Sequence, residues 1–170
     1  MPVALSTPDP EARTAVAWHA LAQVEDPEIP ALSIVELGIV RFVEVRSDGV
    51  LGVALSPTYT GCPATEHIES MVRDALDAAG SSPFAVTRVL SPAWSSDWIT
   101  SEGRRKLAEY GIVPPPASAT WGRRAGPAPV ACPRCGSTHT ECISQFGSTP
   151  CKALHRCRDC LEPFECFKCI

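Results

Sequence analysis

The apolar positions in the first 113 residues follow two spacings, one typical of helices and one typical of strands. Apolar residues three or four apart predict helices, and Thr7 is the expected N-cap of the first one. Gly80 is expected to end the second helix, because glycine readily adopts the backbone conformation that follows a last turn. The three predicted helices cover residues 8–25, 63–79 and 101–110.

Stretches rich in β-branched residues lie between these helices and predict strands. Ile39–Arg46 and Val50–Leu55 flank Ser47-Asp48-Gly49, which is a hairpin signal, and Phe84–Leu90 is a third strand. The order helix, hairpin, helix, strand, helix predicts an α+β domain with a small three-stranded sheet packed against helices.

The composition changes after residue 113. Pro114-Pro115-Pro116 opens a stretch rich in proline, glycine and alanine that extends to Ala131 and predicts a semi-rigid linker. We therefore expect an α+β domain over residues 1–113, a linker over 114–131 and a small β module over 132–170.

Cysteine dominates the chemistry of the third part. Of nine cysteines, eight lie between Cys132 and Cys169, and most of them form C-x-x-C pairs. An odd total in such pairs favours metal binding over disulfides. We expect one structural zinc in this module, because a module of about 40 residues with few large apolar groups rarely folds without a disulfide or a bound metal ion. The predicted ligands are Cys132, Cys135, Cys157 and Cys160.

Three questions about the cysteine-rich module stay open on spacing alone. A rubredoxin-like iron site has the same four thiolates. Arg134, Arg156 and Arg158 suit a nucleic-acid-binding ribbon, although the net charge of the whole chain, −4, speaks against a protein that coats nucleic acid. The four other cysteines form either a second metal site or buried and free thiols: Cys142, Cys151, Cys166 and Cys169.

Cys62 is the one cysteine outside this module. Pro63 is the natural first residue of the second helix, which predicts Cys62 at the N-cap, with a stabilised and accessible thiolate. Asp26 and Glu28 lie in a rigid, proline-rich turn and are suited to hold a proton or a metal. The sequence alone does not show whether these carboxylates lie near Cys62 in the fold.

Several classes of protein are not indicated. The sequence has no apolar run of about 18 residues and no recognisable leader in residues 1–12, so we expect a cytoplasmic protein. It also has no dinucleotide fingerprint, phosphate loop or Glu-x-x-His pair, so the enzyme classes that carry those motifs are not indicated.

The first part of the chain carries a set of short motifs that occur together in a known family. They are Asp26-Pro27-Glu28, Leu37-Gly38-Ile39-Val40, Thr58…Gly61-Cys62-Pro63 and Trp94…Asp97-Trp98 before Glu102-Gly103-Arg104-Arg105. This set resembles the metal–sulfur cluster biosynthetic effector family, to which SufT-type iron–sulfur assembly factors belong.

The last part carries a second set. It comprises Cys132-Pro133-Arg134-Cys135-Gly136-Ser137, Phe146-Gly147-Ser148-Thr149, Cys151-Lys152-Ala153-Leu154 and Glu162-Pro163-Phe164. This set resembles the PaaD (also PaaJ) family of phenylacetate degradation.

The resemblance implies site residues and cofactors. Cys62 would transiently hold iron or an iron–sulfur cluster. The suspected active residues are Asp26, Glu28, Thr58 and Cys62. The implied ribbon ligands are Cys132, Cys135, Cys157 and Cys160, with Cys151 and Cys169 also matching.

The resemblance also implies a role in aerobic phenylacetate catabolism. The chain would be an accessory and maturation subunit of the multicomponent phenylacetyl-CoA ring epoxidase, rather than a catalyst by itself. Its partners would be the other epoxidase subunits, particularly an iron–sulfur reductase component, and the iron–sulfur assembly machinery. A rubredoxin-like electron carrier of that system and a nucleic-acid-binding zinc ribbon are the alternatives.

Overall fold

Two β-sheets and three α-helices organise the part of the chain that the structure describes. The computed structural model describes residues 9–116 and 130–169, so Thr7 and most of the predicted linker lie outside the described residues. The helices are α1 (Pro10–Leu21), α2 (Thr65–Ala78) and α3 (Ser101–Glu109). The strands are β1 (Val40–Val45), β2 (Leu51–Leu55), β3 (Phe84–Arg88), β4 (Ile112–Val113), β5 (Thr140–Ser144), β6 (Lys152–Cys157) and β7 (Pro163–Phe167).

The first sheet has the order β1-β2-β3. Strands β1 and β2 form the predicted antiparallel hairpin, and α2 provides the crossover that places β3 parallel to β2. One face of α2 buries Ile68, Val72 and Leu76. The predicted α+β class and three-stranded sheet are confirmed.

The second sheet has the order β4-β7-β6-β5. Strands β5, β6 and β7 form an antiparallel meander, while β4 pairs parallel to β7 with Ile112 opposite Glu165. Strand β4 immediately follows α3, on the N-terminal side of the predicted boundary at residue 113. The sheet of the ribbon therefore begins within the predicted first domain.

The ribbon and the first domain share one hydrophobic core. The rings of Trp94 and Phe167 lie 5.8 Å apart between centroids, and both side chains are buried. Cys151 belongs to the same buried cluster. Trp94 also donates from Nε1 to the carbonyl of Leu37 at 3.0 Å, which ties this contact to the turn that precedes β1.

The predicted helix boundaries need two corrections. Helix α1 begins at Pro10, behind Asp9, and ends at Leu21, well before Asp26. Helix α2 begins at Thr65, three residues later than Cys62.

Among the residues that the structure describes, no helix is long and apolar enough to cross a membrane.

Gly38 makes the turn into β1 possible. Its φ of +70° is a left-handed conformation, and a Cβ on it would lie 2.6 Å from both Cβ and the carbonyl oxygen of Trp98. Backbone at such a distance cannot move aside without shifting the chain. The neighbours of Gly38, Leu37 and Ile39, line the cavity described below.

We predict that Gly38→Ala destabilises the protein more than Gly49→Ala. Both glycines have positive φ, which costs alanine about 1–2 kcal/mol, but a Cβ on Gly49 would meet nothing within 4 Å. Overpacking against Trp98 should add about 1–3 kcal/mol at Gly38. Urea unfolding of the two variants measures the difference, and equal losses would contradict this account of the turn.

Candidate metal centres

Four thiols form a compact group at the end of the ribbon. The Sγ atoms of Cys132 and Cys160 lie 3.6 Å apart, as do those of Cys135 and Cys157, and all four lie within 4.8 Å of one another. These distances are far longer than a disulfide bond of about 2.05 Å. They match the separation of roughly 3.8 Å expected between thiolates that bind one zinc tetrahedrally at about 2.3 Å. The four residues fit a metal ion.

The turns around these thiols are suited to that role. The N–H of Cys132 donates to the carbonyl of Ser137 at 2.8 Å, and Gly136 donates to the carbonyl of Cys132 at 2.9 Å. The N–H of Cys160 points at Sγ of Cys157, 3.5 Å away, and this contact contributes most to lowering the pKa of Cys157 to about 7. Four thiolates complete a tetrahedral shell, which is typical of a structural site.

The other four cysteines of the ribbon lie outside this group. Cys151 and Cys166 are buried, while Cys142 and Cys169 are exposed, and all nine cysteines of the chain are free. Within residues 9–116 and 130–169, no second set of three potential ligand atoms is as close together. The structure thus does not bring Cys151 and Cys169 to the four clustered thiols.

The three arginines of the ribbon are paired with carboxylates. Arg134 binds Glu162 at 2.6 Å, and both Arg156 and Arg158 bind Glu141. A phosphate backbone would have to compete with these partners, so the pairing gives no support to a nucleic-acid interface.

The four residues suspected as active by resemblance line one cavity in the first domain. Its volume is about 20 Å³. The residues are Asp26, Glu28, Thr58 and Cys62. The structure therefore provides the proximity that sequence could not, although their roles stay a prediction.

Asp26 and Glu28 reach the cavity from the turn that follows α1. The carboxylate of Asp26 accepts the N–H of Glu28 at 2.9 Å and that of Ile29 at 2.8 Å, both through Oδ1. Burial raises the pKa of Asp26 in spite of these hydrogen bonds. Burial and the charge of Asp26 likewise raise the pKa of Glu28. A bound cation would stabilise the ionised form of both carboxylates.

The predicted position of Cys62 at the helix N-cap is wrong. Ala64 is the N-cap, and Cys62 lies in the turn before it, where its carbonyl accepts the hydroxyl of Thr65 at 2.9 Å. The N–H of Ala64 still bonds to the thiol, but burial and the nearby carboxylates of Glu28 and Asp26 outweigh it and raise the pKa of Cys62. The structure therefore gives no support to the expected stabilised thiolate.

Sequence reasoning missed that the ribbon contributes to this cavity. Cys151 and Phe167 complete its wall. Cys151 belongs to no C-x-x-C pair, which was the available signal that its role differs from that of the clustered thiols. Its proximity to Cys62 depends on docking between two modules, and no local pattern encodes that.

Comparison with known proteins matches two parts of the chain to two different families. Residues 14–88 match the family described as "Iron-sulfur cluster assembly protein", and residues 116–168 match the "PaaD zinc beta ribbon domain". A protein of Escherichia coli K12 assigned to 1,2-phenylacetyl-CoA epoxidase, as one of its subunits, is 49% identical over 153 residues, covering 90% of this chain and 91% of that protein. The chain belongs to the PaaD family. The resemblance found in the sequence is confirmed.

Two shorter relatives of this PaaD-family chain match its first domain. An Fe-S protein maturation auxiliary factor of Porphyromonas gingivalis is 31% identical, covering 51% of this chain and 83% of that protein. The Fe-S protein maturation auxiliary factor YitW of Bacillus subtilis is 37% identical, covering 46% of this chain and 76% of that protein.

A solved structure supports the fold of the same region. It is a crystal structure of a domain of unknown function, DUF59, from Bacillus anthracis, with 27% identity and a TM-score of 0.53. The match covers 58% of this chain and 93% of that domain.

We predict that removing the ribbon metal unfolds the ribbon but leaves the three-stranded sheet and its helices folded. The free energy of metal binding, on the order of 10 kcal/mol, is largely folding free energy in such modules. Lys152 is 4% exposed, so trypsin should cleave after it only once a strong chelator has removed the metal. Exposed Arg46, at the hairpin turn between β1 and β2 and outside the ribbon, is the reference site, whose cleavage should be the same before and after metal removal. Continued protection of Lys152 in metal-free protein would contradict the prediction.

We also predict that Cys62 has a pKa above its ordinary value of 9.0, and that Glu28→Gln lowers it by removing a nearby negative charge. The measurement is the pH dependence of Cys62 alkylation in the full chain, followed by peptide mass spectrometry. Glu66→Gln removes an exposed carboxylate that does not line the cavity and should leave the profile unchanged. A midpoint below 9.0 in the unaltered protein would show that the thiolate is stabilised after all.

Proposed function

We propose that this chain is an iron–sulfur or metal-centre assembly factor and an accessory subunit of the phenylacetyl-CoA ring epoxidase. The observation that carries the proposal is the single cavity lined by Asp26, Glu28, Thr58 and Cys62. Thiolate and carboxylate oxygen together suit iron, and the family matches of the two parts of the chain support this role.

The protonation of the cavity supports transient binding. Cys62 keeps its proton at neutral pH because its pKa is raised, so an incoming metal ion must displace that proton. Affinity is lower than for a preformed thiolate, and it falls further with falling pH. Reversible binding is what a factor that passes metal to a client requires.

The size of the cavity favours a single ion as the species first bound. A volume of about 20 Å³ exceeds the roughly 10–15 Å³ that one water molecule needs, and an ion replaces about one water. A whole cluster would require the wall to open. A single metal ion is therefore the cargo that fits this cavity.

The ribbon supplies structure and docking in this proposal. The metal at its four cysteines is zinc, and it holds the sheet that completes the cavity wall. The proposed partners are the other epoxidase subunits, particularly the iron–sulfur reductase component that would receive the cargo, and the iron–sulfur assembly machinery. Nine free thiols suit the reducing cytoplasm, where we place the protein.

We predict that Cys62→Ser leaves the epoxidase components several-fold less loaded with iron or cluster when all are expressed together. A serine hydroxyl is not ionised at neutral pH and binds iron poorly. Iron and acid-labile sulfide per purified component measure the loading. Cys142→Ser alters an exposed thiol outside the cavity and is the matched control, expected to load the components normally.

A second arm separates assembly from turnover. Components matured with the unaltered protein and then purified should turn over normally when this protein is absent. Loss of activity on its omission would contradict the assembly role. It would favour a rubredoxin-like electron carrier, which contains ferric tetrathiolate and is red, whereas the zinc ribbon is colourless.

A further inference from the structure

Cys151 enters the Cys62 cavity from a different module. It lies directly before β6, is 5% exposed, and belongs to the buried cluster of the first domain instead of the small cluster around the ribbon thiols. It lines the same cavity as Cys62 and Asp26. Two thiols and two carboxylates from three separate segments thus surround one small space.

The loop that carries Cys151 is held firmly. The carbonyl of Cys151 accepts the N–H of Lys168 at 2.9 Å, and the N–H of Lys152 donates to the carbonyl of Thr149 at 3.1 Å. Sγ of Cys151 lies 3.1 Å from the hydroxyl of Thr149, which can donate to a thiolate.

The charges around the cavity favour a cation. Lys152 is buried and pairs with Glu165 at 3.1 Å, and its charge lowers the pKa of Asp26, Glu28 and Cys151 alike. Burial nevertheless raises the pKa of Cys151 above its ordinary value. The single positive charge of Lys152 therefore faces three carboxylates, those of Asp26, Glu28 and Glu165. The charged groups around the cavity thus carry a net negative charge.

The carboxylate of Asp26 can serve as a metal ligand in the cavity. Among the described residues, both hydrogen bonds to its carboxylate are accepted by Oδ1. Asp26 is 6% exposed and lines the cavity. A largely buried carboxylate beside two thiols is a ligand set for a soft or borderline divalent cation.

We propose that Cys151 is the second thiol ligand of a single divalent metal ion bound between the ribbon and the first domain, together with Cys62 and the carboxylate of Asp26 or Glu28. The inference rests on the proposed function and adds a ligand to its site. Each thiol gives its proton to solvent and forms one sulfur–metal bond, so no oxidant or reductant is needed. The ligand atoms are further apart than the four clustered thiols, so binding draws them together.

The test is a Co²⁺ titration of zinc-loaded full-length protein under nitrogen. Zinc binds more tightly than cobalt and stays in the ribbon, so added Co²⁺ reports on the cavity. Sulfur-to-cobalt charge-transfer absorption grows with the number of bound thiolates. We expect one Co²⁺ per chain with the absorption of two thiolates. Cys151→Ala should halve that absorption and weaken binding by more than the ~10-fold cost of losing a supporting group.

Cys166→Ala is the matched control. Cys166 is 6% exposed, comes from the same ribbon and does not line this cavity, so this variant should bind Co²⁺ as the unaltered protein does. One zinc per chain and trypsin resistance after Lys152 show that each ribbon is folded. Cys151→Ser keeps a hydroxyl beside Thr149 and should show the same halved absorption.

The outcomes separate this inference from the proposed function. Full two-thiolate absorption in a folded Cys151→Ala protein would overturn the inference. If Cys62→Ala also lost the absorption in that case, the metal-holding role of the cavity would stand. Absence of any bound Co²⁺ in the zinc-loaded unaltered protein would instead contradict the proposed function itself.

Discussion

The packing of the ribbon against the first domain is the constraint on which the cavity depends. Phe167 packs against Trp94, and Trp94 donates a hydrogen bond to the carbonyl of Leu37. Leu37, in the turn that precedes β1, in turn lines the cavity. The same docking brings Cys151 into the wall. We expect the ribbon to fold only with a metal ion at its four thiols, so a metal ion in the ribbon should support the geometry of the cavity. The two modules form one working unit, joined by the pairing of β4 with β7.

The two groups of thiols differ in a way that matches two tasks. In the ribbon, four sulfur atoms lie within 4.8 Å of one another, already at the spacing of a closed tetrahedral shell. In the cavity, burial raises the pKa of Cys62 and of Cys151, so these thiols must lose their protons when a metal ion binds. We therefore expect the first arrangement to retain its ion and the second to exchange it. That contrast is the physical basis for separating a structural metal from a cargo.

Local patterns predicted the elements well but not what they contact. Helix α2 and the β1–β2 hairpin follow directly from apolar periodicity and a glycine turn, and C-x-x-C spacing predicted the four clustered cysteines. The position of Cys62 was wrong because Pro63 signalled a helix start that the chain reaches only at Thr65. Cys151 was misplaced among the ribbon ligands, since its neighbours in space come from docking over a long sequence separation. Family resemblance predicted Asp26, Glu28, Thr58 and Cys62 together, and only the fold shows them lining one cavity.

The central claim is that the first domain and the ribbon together hold one exchangeable metal ion, distinct from the ion of the ribbon. Crystals of zinc-loaded protein grown anaerobically with Fe²⁺ test it directly through anomalous difference maps at the iron edge. The account predicts an iron peak between Sγ of Cys62 and Sγ of Cys151, with zinc alone at Cys132, Cys135, Cys157 and Cys160. Iron found only at the four ribbon cysteines, or a cavity without an iron peak, would contradict it.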